Sequence, residues 1–234
     1  MAYTSYTASN GQTINNYGYL NQIWNYLTSR GIPDDGAAAL MGNLYAESFC
    51  VPYIVQGNTS YPFSYSVNYT NNVNNGTISE HDFVYNGPNG GGYGLAQWTW
   101  KTRKQGLYDK WVSGGYSSIG DISLALDYLW YELATSYYTT LTTLKRTDKT
   151  MKAKTRYVLF NFENPANKSD SVVNYRYALA FAIYEWMTGT VVVDPPDDES
   201  GTGGGNGGGH SKPHSITMRQ VLRNPALYIP RRFI

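Results

Sequence analysis

Apolar residues recur at helical spacing along most of the chain. In the first segment they fall three or four positions apart and Gly31 follows as a stop; the apolar positions are Ile14, Tyr17, Leu20, Ile23, Trp24 and Leu27. The same periodicity predicts helices over 101–112, 121–137, 149–162 and 170–188. The pattern therefore predicts a mainly helical protein.

A further helix is predicted between Pro33 and Pro52. Pro33-Asp34-Asp35 makes a good start, because proline fits the first turn and carboxylates lie near the positive end of the helix dipole. The run AAALMGNLYAES follows, and Pro52 marks the end. Small residues, among them Gly42, let other elements approach closely, so we expect this helix to be buried and central.

Residues 53–92 lack helical periodicity and are dense in Tyr, Asn, Ser and Gly, with short alternating patches such as Tyr65–Tyr69. We predict a small, irregular, β-rich lobe with long loops here. The fold class that results is α+β, with a mainly helical domain and a β insertion after the second helix.

The helical domain is predicted over 1–188. A flexible linker over 189–215 follows, marked by GTGGGNGGG, and a short tail peptide forms 216–234. All 17 acidic residues lie at or before Glu199, whereas five of the 18 basic residues lie beyond it. The tail is therefore strongly basic, while the domain is weakly acidic.

Composition narrows the function classes. Charged residues make up only 15% of the chain, and there are 23 tyrosines and 6 tryptophans, which suits a surface that binds carbohydrate. Cys50 is the only cysteine, so no intramolecular disulfide forms and no structural zinc cluster is indicated. We expect no secretory signal, no membrane span and no nucleic-acid binding.

Glu47 is the first candidate for chemistry. It lies at the C-terminal end of the predicted second helix, where the negative end of the dipole disfavours an ionised carboxyl group. A carboxylic acid kept protonated is what protonation of a glycosidic oxygen requires. The alternative is an ordinary exposed glutamate at a helix end, and position alone favours that alternative.

The second candidate is the turn Gly-Gly-Gly-Tyr-Gly-Leu-Ala-Gln-Trp at 90–98. Gly94 and the preceding glycines permit a tight turn and a close approach of the backbone to a ligand. Tyr93 and Trp98 supply stacking faces, and Gln97 supplies an amide that can pair with N-acetyl and hydroxyl groups. A hairpin that packs on the core explains the same residues equally well.

Several segments in order resemble the phage tail lysozyme family: MGNLYAES (41–48), GGYGLAQWTWKTRKQGLYD (91–109), LDYLWYEL (126–133) and FENPAN (162–167). The resemblance covers about 15–188 and implies a lysozyme-like fold with a cleft, cleavage of the peptidoglycan glycan chain, and no metal or cofactor. It implies Glu47 as catalytic acid, and Tyr93–Trp98 with Tyr45 as substrate-binding residues. Phe49-Cys50-Val51-Pro52 departs from the family's usual Gly-Leu-Asn-Pro.

The second catalytic group stays open. Glu80 and Asp82, in SEHDF, are the only carboxylates between Glu47 and the turn, and either could position water or stabilise an oxocarbenium-like transition state. A capped loop turn, or a single-acid mechanism assisted by the substrate's N-acetyl group, is an equal alternative. We assign Glu132 and Glu163 to structure, and Arg103 and Lys104 to solvated helix charges rather than to binding of wall peptides.

Other functions are weighed against this one. A cysteine amidase or endopeptidase would need Cys50 and His81, but no helix N-terminus follows the cysteine to activate it. A zinc peptidase would need His210 and His214, which lack a third ligand. A lytic transglycosylase and a peptidoglycan-binding module without activity remain alternatives. Three interpretations of the basic tail stay open: it is a disordered end, it docks on another phage tail protein, or its charge attracts anionic polymers or lipid headgroups.

Overall fold

The computed structural model describes residues 4–87 and 91–191, so most of the predicted linker and the whole tail lie outside the described residues. Two antiparallel strands come first, β1 (Thr4–Thr7) and β2 (Thr13–Asn16), with Tyr6 opposite Ile14. The helices are α1 (Leu20–Thr28), α2 (Asp34–Ser48), α3 (Ser64–Asn74), α4 (Lys101–Gly114), α5 (Ile122–Ala134), α6 (Tyr138–Lys145), α7 (Met151–Val158) and α8 (Asp170–Thr188). Two π-helical turns, Asp82–Asn86 and Leu159–Glu163, complete the described elements.

Helix α2 is the central helix, as its small residues predict. It is buried along almost its whole length and packs mainly on α7 and α8. A Cβ atom at Gly42 would lie 2.6 Å from the backbone nitrogen of Ala180 and 2.7 Å from the carbonyl oxygen of Arg176. Only glycine therefore allows α8 to lie this close to α2.

The first helix begins later than its apolar pattern predicts. Ile14 is buried in β2, and Tyr17 lies between β2 and α1. Gly18 adopts a φ of 99°, which interrupts a helix, and the Asn16 side chain accepts hydrogen bonds from the backbone of Gly18 at 2.8 Å and of Leu20 at 3.3 Å. The apolar positions thus belong to a strand and a helix that share one core.

The β-rich lobe predicted for 53–92 is wrong. This region holds α3 and a π-helical turn, and its strand-like pairing is limited to the isolated bridges Val55–Tyr93 and Tyr93–Trp98 within the described residues. The small sheet lies before α1 instead. The mainly helical α+β class is confirmed, but with the strands at a different place in the chain.

The later helices follow their predictions closely. Helix α8 spans Asp170–Thr188 as predicted, and α4 and α7 begin within two residues of the predicted starts. The segment predicted over 121–137 ends at Ala134, and α6, which was not predicted, follows. Among the described helices, none is both long enough and apolar enough to cross a membrane.

Candidate active site

Glu47 lies on the last turn of α2, where the chain leaves the helix abruptly. Phe49 and Cys50 both have positive φ values, 54° and 58°, which is uncommon for residues with side chains. The Phe49 amide donates to the carbonyl of Tyr45 at 2.8 Å and closes the helix. This sharp turn places the segment that follows α2 beside the helix end, and the Glu47 side chain is left only 13% exposed.

The helix end is bound directly to the glycine-rich turn. The Ser48 hydroxyl donates to the carbonyl oxygen of Leu95 at 2.6 Å. The Gly94 amide donates to the carbonyl of Ile54 at 2.8 Å, and the Gln56 amide donates to that of Gly92 at 2.9 Å. The two candidate motifs, 47 residues apart along the chain, therefore lie side by side.

Gly94 is required by this arrangement. Its φ is 78°, and a Cβ atom there would lie 3.0 Å from both the carbonyl oxygen of Pro52 and the ring of Trp98. The predicted tight turn is thus present. The close approach that glycine allows is, in the first place, an approach of the protein to itself.

The rings of Tyr93 and Trp98 offer no face to a sugar, which corrects the stacking role predicted for them. Both side chains are 0% exposed. Trp98 Nε1 donates to Glu132 Oε2 at 2.7 Å, and the Tyr93 hydroxyl bonds the Thr70 hydroxyl at 2.8 Å. These rings anchor the turn to the core, and burial raises the pKa of Tyr93.

Tyr45 and Gln97 are also used inside the protein. Tyr45 is 5% exposed, and its hydroxyl oxygen accepts a hydrogen bond from the Asn15 amide at 2.7 Å. Gln97, with a φ of 45°, donates from Nε2 to the carbonyls of Ile54 at 2.9 Å and Gly94 at 3.0 Å. The amide nitrogen of Gln97 is therefore committed to holding the turn.

Glu80 and Asp82 form hydrogen bonds with their own neighbours rather than with Glu47. Both are exposed; Glu80 accepts a hydrogen bond from Gln105 of α4 at 2.8 Å. Asp82 is bonded to the Ser79 hydroxyl at 2.8 Å and the Asn86 amide at 2.9 Å, and hydrogen bonds from these neighbours lower its pKa. Among the described contacts, none links either carboxylate to Glu47, and the capped-turn reading of Asp82 fits the structure.

Arg176 of α8 is a site residue that the sequence analysis missed. Its Nη2 donates to Glu47 Oε1 at 2.5 Å, and its Nη1 donates to the backbone and side-chain oxygens of Asn43 at 3.2 and 3.3 Å. The residue is 7% exposed. The sequence does carry a signal for it: Arg176 lies three positions after Val173 and three before Leu179, so helical spacing places it on the same buried face of α8 as these two residues.

Lys104 is buried and the Arg103 side chain is only 11% exposed, which corrects their interpretation as solvated charges. Arg103 forms a bidentate ion pair with Glu132 at 2.6 and 2.7 Å, and this carboxylate also accepts from Trp98. Lys104 is 2% exposed, and desolvation lowers its pKa. The assignment of Glu132 to structure agrees with these contacts.

The cysteine-nucleophile alternative has no support in the structure. Cys50 is 1% exposed, its sulfur lies 3.6 Å from the carbonyl oxygen of Met41, and burial raises the pKa of its thiol. His81 instead stacks on the exposed ring of Tyr85 at 4.8 Å. In residues 4–87 and 91–191 no group of His, Cys, Asp and Glu could hold a metal ion, and His210 and His214 lie outside these ranges.

A mainly helical α+β domain with a largely buried glutamate at the end of its central helix, and with a glycine-rich turn bound to that helix end through Ser48, fits a lysozyme-like fold. The profile of the phage tail lysozyme family matches residues 19–187, and the chain belongs to this family. The family description implies a peptidoglycan substrate and association with a virion tail. A search of curated proteins finds no similar sequence.

Proposed function

We propose that the protein is a muramidase that cleaves the bond between N-acetylmuramic acid and N-acetylglucosamine in peptidoglycan, with Glu47 as the general acid. The observation that carries the proposal is the burial of the Glu47 carboxyl group together with its hydrogen bonding. It is largely buried beside the glycine-rich turn, Arg176 holds Oε1, and Oε2 has no hydrogen bond to a described residue. One oxygen of the carboxyl group is therefore available to a substrate.

In the proposed reaction, the protonated Oε2 of Glu47 donates its proton to the glycosidic oxygen as the bond from that oxygen to the anomeric carbon breaks. The departing sugar leaves as an alcohol, and the carbon passes through an oxocarbenium-like state. Addition of water to this carbon then gives a new reducing end. The turn contacts the helix end through Leu95 and Ser48, next to the acid, while Gly94 itself is buried.

The position of Glu80 and Asp82 supports a mechanism with one protein carboxyl group. Since both carboxylates are exposed and hydrogen-bonded to their own neighbours, Asp82 to Ser79 and Asn86 and Glu80 to Gln105, we propose that the substrate's own N-acetyl group assists at the anomeric carbon. The same arrangement suits a lytic transglycosylase, in which a hydroxyl group of the muramic acid attacks in place of water. The two reactions use the same acid and differ in their products.

In the virion, we propose that this activity opens a local hole in the cell wall during infection. The predicted linker and basic tail, most of which lie outside the described residues, would join the domain to other tail proteins. The family assignment supports this placement.

Digestion of purified peptidoglycan by wild type and Glu47→Gln, with mass spectrometry of the soluble products, tests the proposal. We expect reducing-end muropeptides from wild type and none from the variant. Anhydro-muramyl ends would make the protein a transglycosylase. Equal products from both proteins would remove Glu47 from the reaction, and wall binding without cleavage by either would make the domain a binding module.

A further inference from the structure

The charge of Arg176 is buried at a cost that packing does not explain. Moving a guanidinium group out of water is unfavourable by several kcal/mol, and a buried ion pair returns little or none of this as stability. The Arg176 and Glu47 side chains are only 8% and 13% exposed. By contrast, Arg156 on α7 pairs with Asp170 at 3.3 Å with 51% of its side chain exposed. The buried pair Arg103–Glu132 serves structure with both carboxylate oxygens hydrogen-bonded, whereas at Glu47 only Oε1 is bonded within the described residues, so the Glu47 pair fits a role beyond holding helices together.

The guanidinium group, carried by α8, is fixed on α2, and α7 supports this arrangement through Asn43. Besides Glu47, it contacts both oxygens of Asn43 on α2. Asn43 is itself held, because its Nδ2 donates to the carbonyls of Ala39 at 2.9 Å and of Thr155 on α7 at 3.2 Å. Arg176 thus has little freedom to move, and the Glu47 carboxyl group receives a hydrogen bond of fixed direction.

We propose that Arg176 is a positioning residue for the acid, an inference that rests on the proposed function. Its hydrogen bond to Oε1 leaves Oε2 as the oxygen that faces the substrate and carries the proton. As that proton passes to the glycosidic oxygen, Glu47 becomes a carboxylate, and a guanidinium group binds a carboxylate more strongly than a neutral acid. Counted from the substrate complex in which Glu47 is protonated, this interaction grows along the reaction, so it lowers the barrier to proton transfer rather than tightening substrate binding.

The test compares kcat and KM for Arg176→Met, Arg176→Lys and the control Arg156→Met on soluble, uncrosslinked peptidoglycan strands, by release of reducing ends. Glu47→Gln is measured beside them, and thermal unfolding reports the folded fraction of each variant. Arg176→Met should lose about a hundredfold in kcat with KM nearly unchanged, by analogy with removal of a donor that stabilises developing charge. Arg176→Lys, which keeps the charge but not the forked geometry, should recover part of the loss. Arg156→Met should match wild type.

The outcomes separate this inference from the proposed function. If Glu47→Gln is inactive while Arg176→Met keeps wild-type kcat, the role of Arg176 is refuted and the acid stands. A loss expressed only in KM, or one that Lys does not relieve at all, makes Arg176 a structural residue. If Glu47→Gln is active, the proposed acid and this inference both fail. If Arg176→Met does not fold, Arg176→Lys decides: a lower kcat at constant KM supports the proposal, and a wild-type kcat overturns it.

Discussion

Gly42→Ala should weaken the fold and the chemistry together, because Gly42 sets the distance between α2 and α8. The added methyl group would lie 2.6 Å from the Ala180 nitrogen, 2.7 Å from the Ala180 Cβ and 2.7 Å from the Arg176 oxygen. Two of these are backbone atoms of α8, so no side-chain rotation relieves the contact. Restoring ordinary contact at 3.4 Å requires α8 to move away by about 0.8 Å.

The expected magnitudes follow from this shift. Overpacking costs about 1–3 kcal/mol. The higher helix propensity of alanine offsets about 1 kcal/mol of this destabilisation, so the free energy of unfolding should fall by up to about 2 kcal/mol. The same shift would lengthen the 2.5 Å contact between Arg176 and Glu47 to about 3.3 Å, beyond the length of a strong charge-assisted hydrogen bond. A displacement of this size should lower kcat by about ten- to a hundredfold.

Urea unfolding and release of reducing ends from peptidoglycan measure the two effects. The control is Gly114→Ala, at the exposed end of α4, where the three atoms nearest to the new methyl group belong to the Tyr116 ring and none of them to the backbone of another helix. The control should keep wild-type kcat. If Gly42→Ala shows wild-type stability and wild-type kcat, the close packing of α2 on α8 does not position the acid, and the reasoning is refuted.

Three further predictions concern buried groups. Trp98→Phe should lower the free energy of urea unfolding by about 1.5–3 kcal/mol, because the charged Glu132 loses a donor, whereas Trp100→Phe, at a 66% exposed position, should change little. The free energy of unfolding should fall as pH rises above 10.0, because tyrosines lose their protons there in the unfolded chain, while in the folded protein the pKa is raised to about 12 for Tyr19 and Tyr116. Absorbance at alkaline pH should show late, cooperative ionisation of these phenols. Early titration of all tyrosines would contradict this prediction. Cys50 should resist a thiol reagent in the native protein and react fully once urea unfolds it; rapid labelling of the native protein would be contrary to its burial.

The central helix and the last helix follow directly from the sequence, because their patterns of small and apolar residues match their burial. The hydropathy pattern does not predict helix α3, because the buried face of this helix includes the polar residues Ser66 and Thr70. These hydroxyl groups bond the Val55 amide and the Tyr93 hydroxyl, so the face is satisfied by hydrogen bonds and not by apolar contact alone. No local pattern marks such a face.

In the candidate site, too, the local motifs could be predicted from the sequence, whereas the contacts between distant residues could not. Glu47 and the glycine-rich turn carry recognisable local sequence, but their contact through Ser48 and Leu95 depends on two positive φ values after α2. Arg176 reaches Glu47 across 129 residues of chain, and only the packing of α8 on Gly42 brings it there. The burial of Tyr93 and Trp98 likewise depends on tertiary contacts, since aromatic residues in a turn suit a binding surface and a core equally.

The most direct test of Glu47 as the general acid compares two leaving groups. Wild type and Glu47→Gln are assayed on peptidoglycan strands and on a dinitrophenyl glycoside of the same disaccharide, whose leaving group departs without a proton. We expect the variant to lose more than about a hundredfold in kcat on peptidoglycan and less than about tenfold on the aryl glycoside. Equal losses on both substrates, or no loss on peptidoglycan, would contradict the assignment of Glu47 as the proton donor.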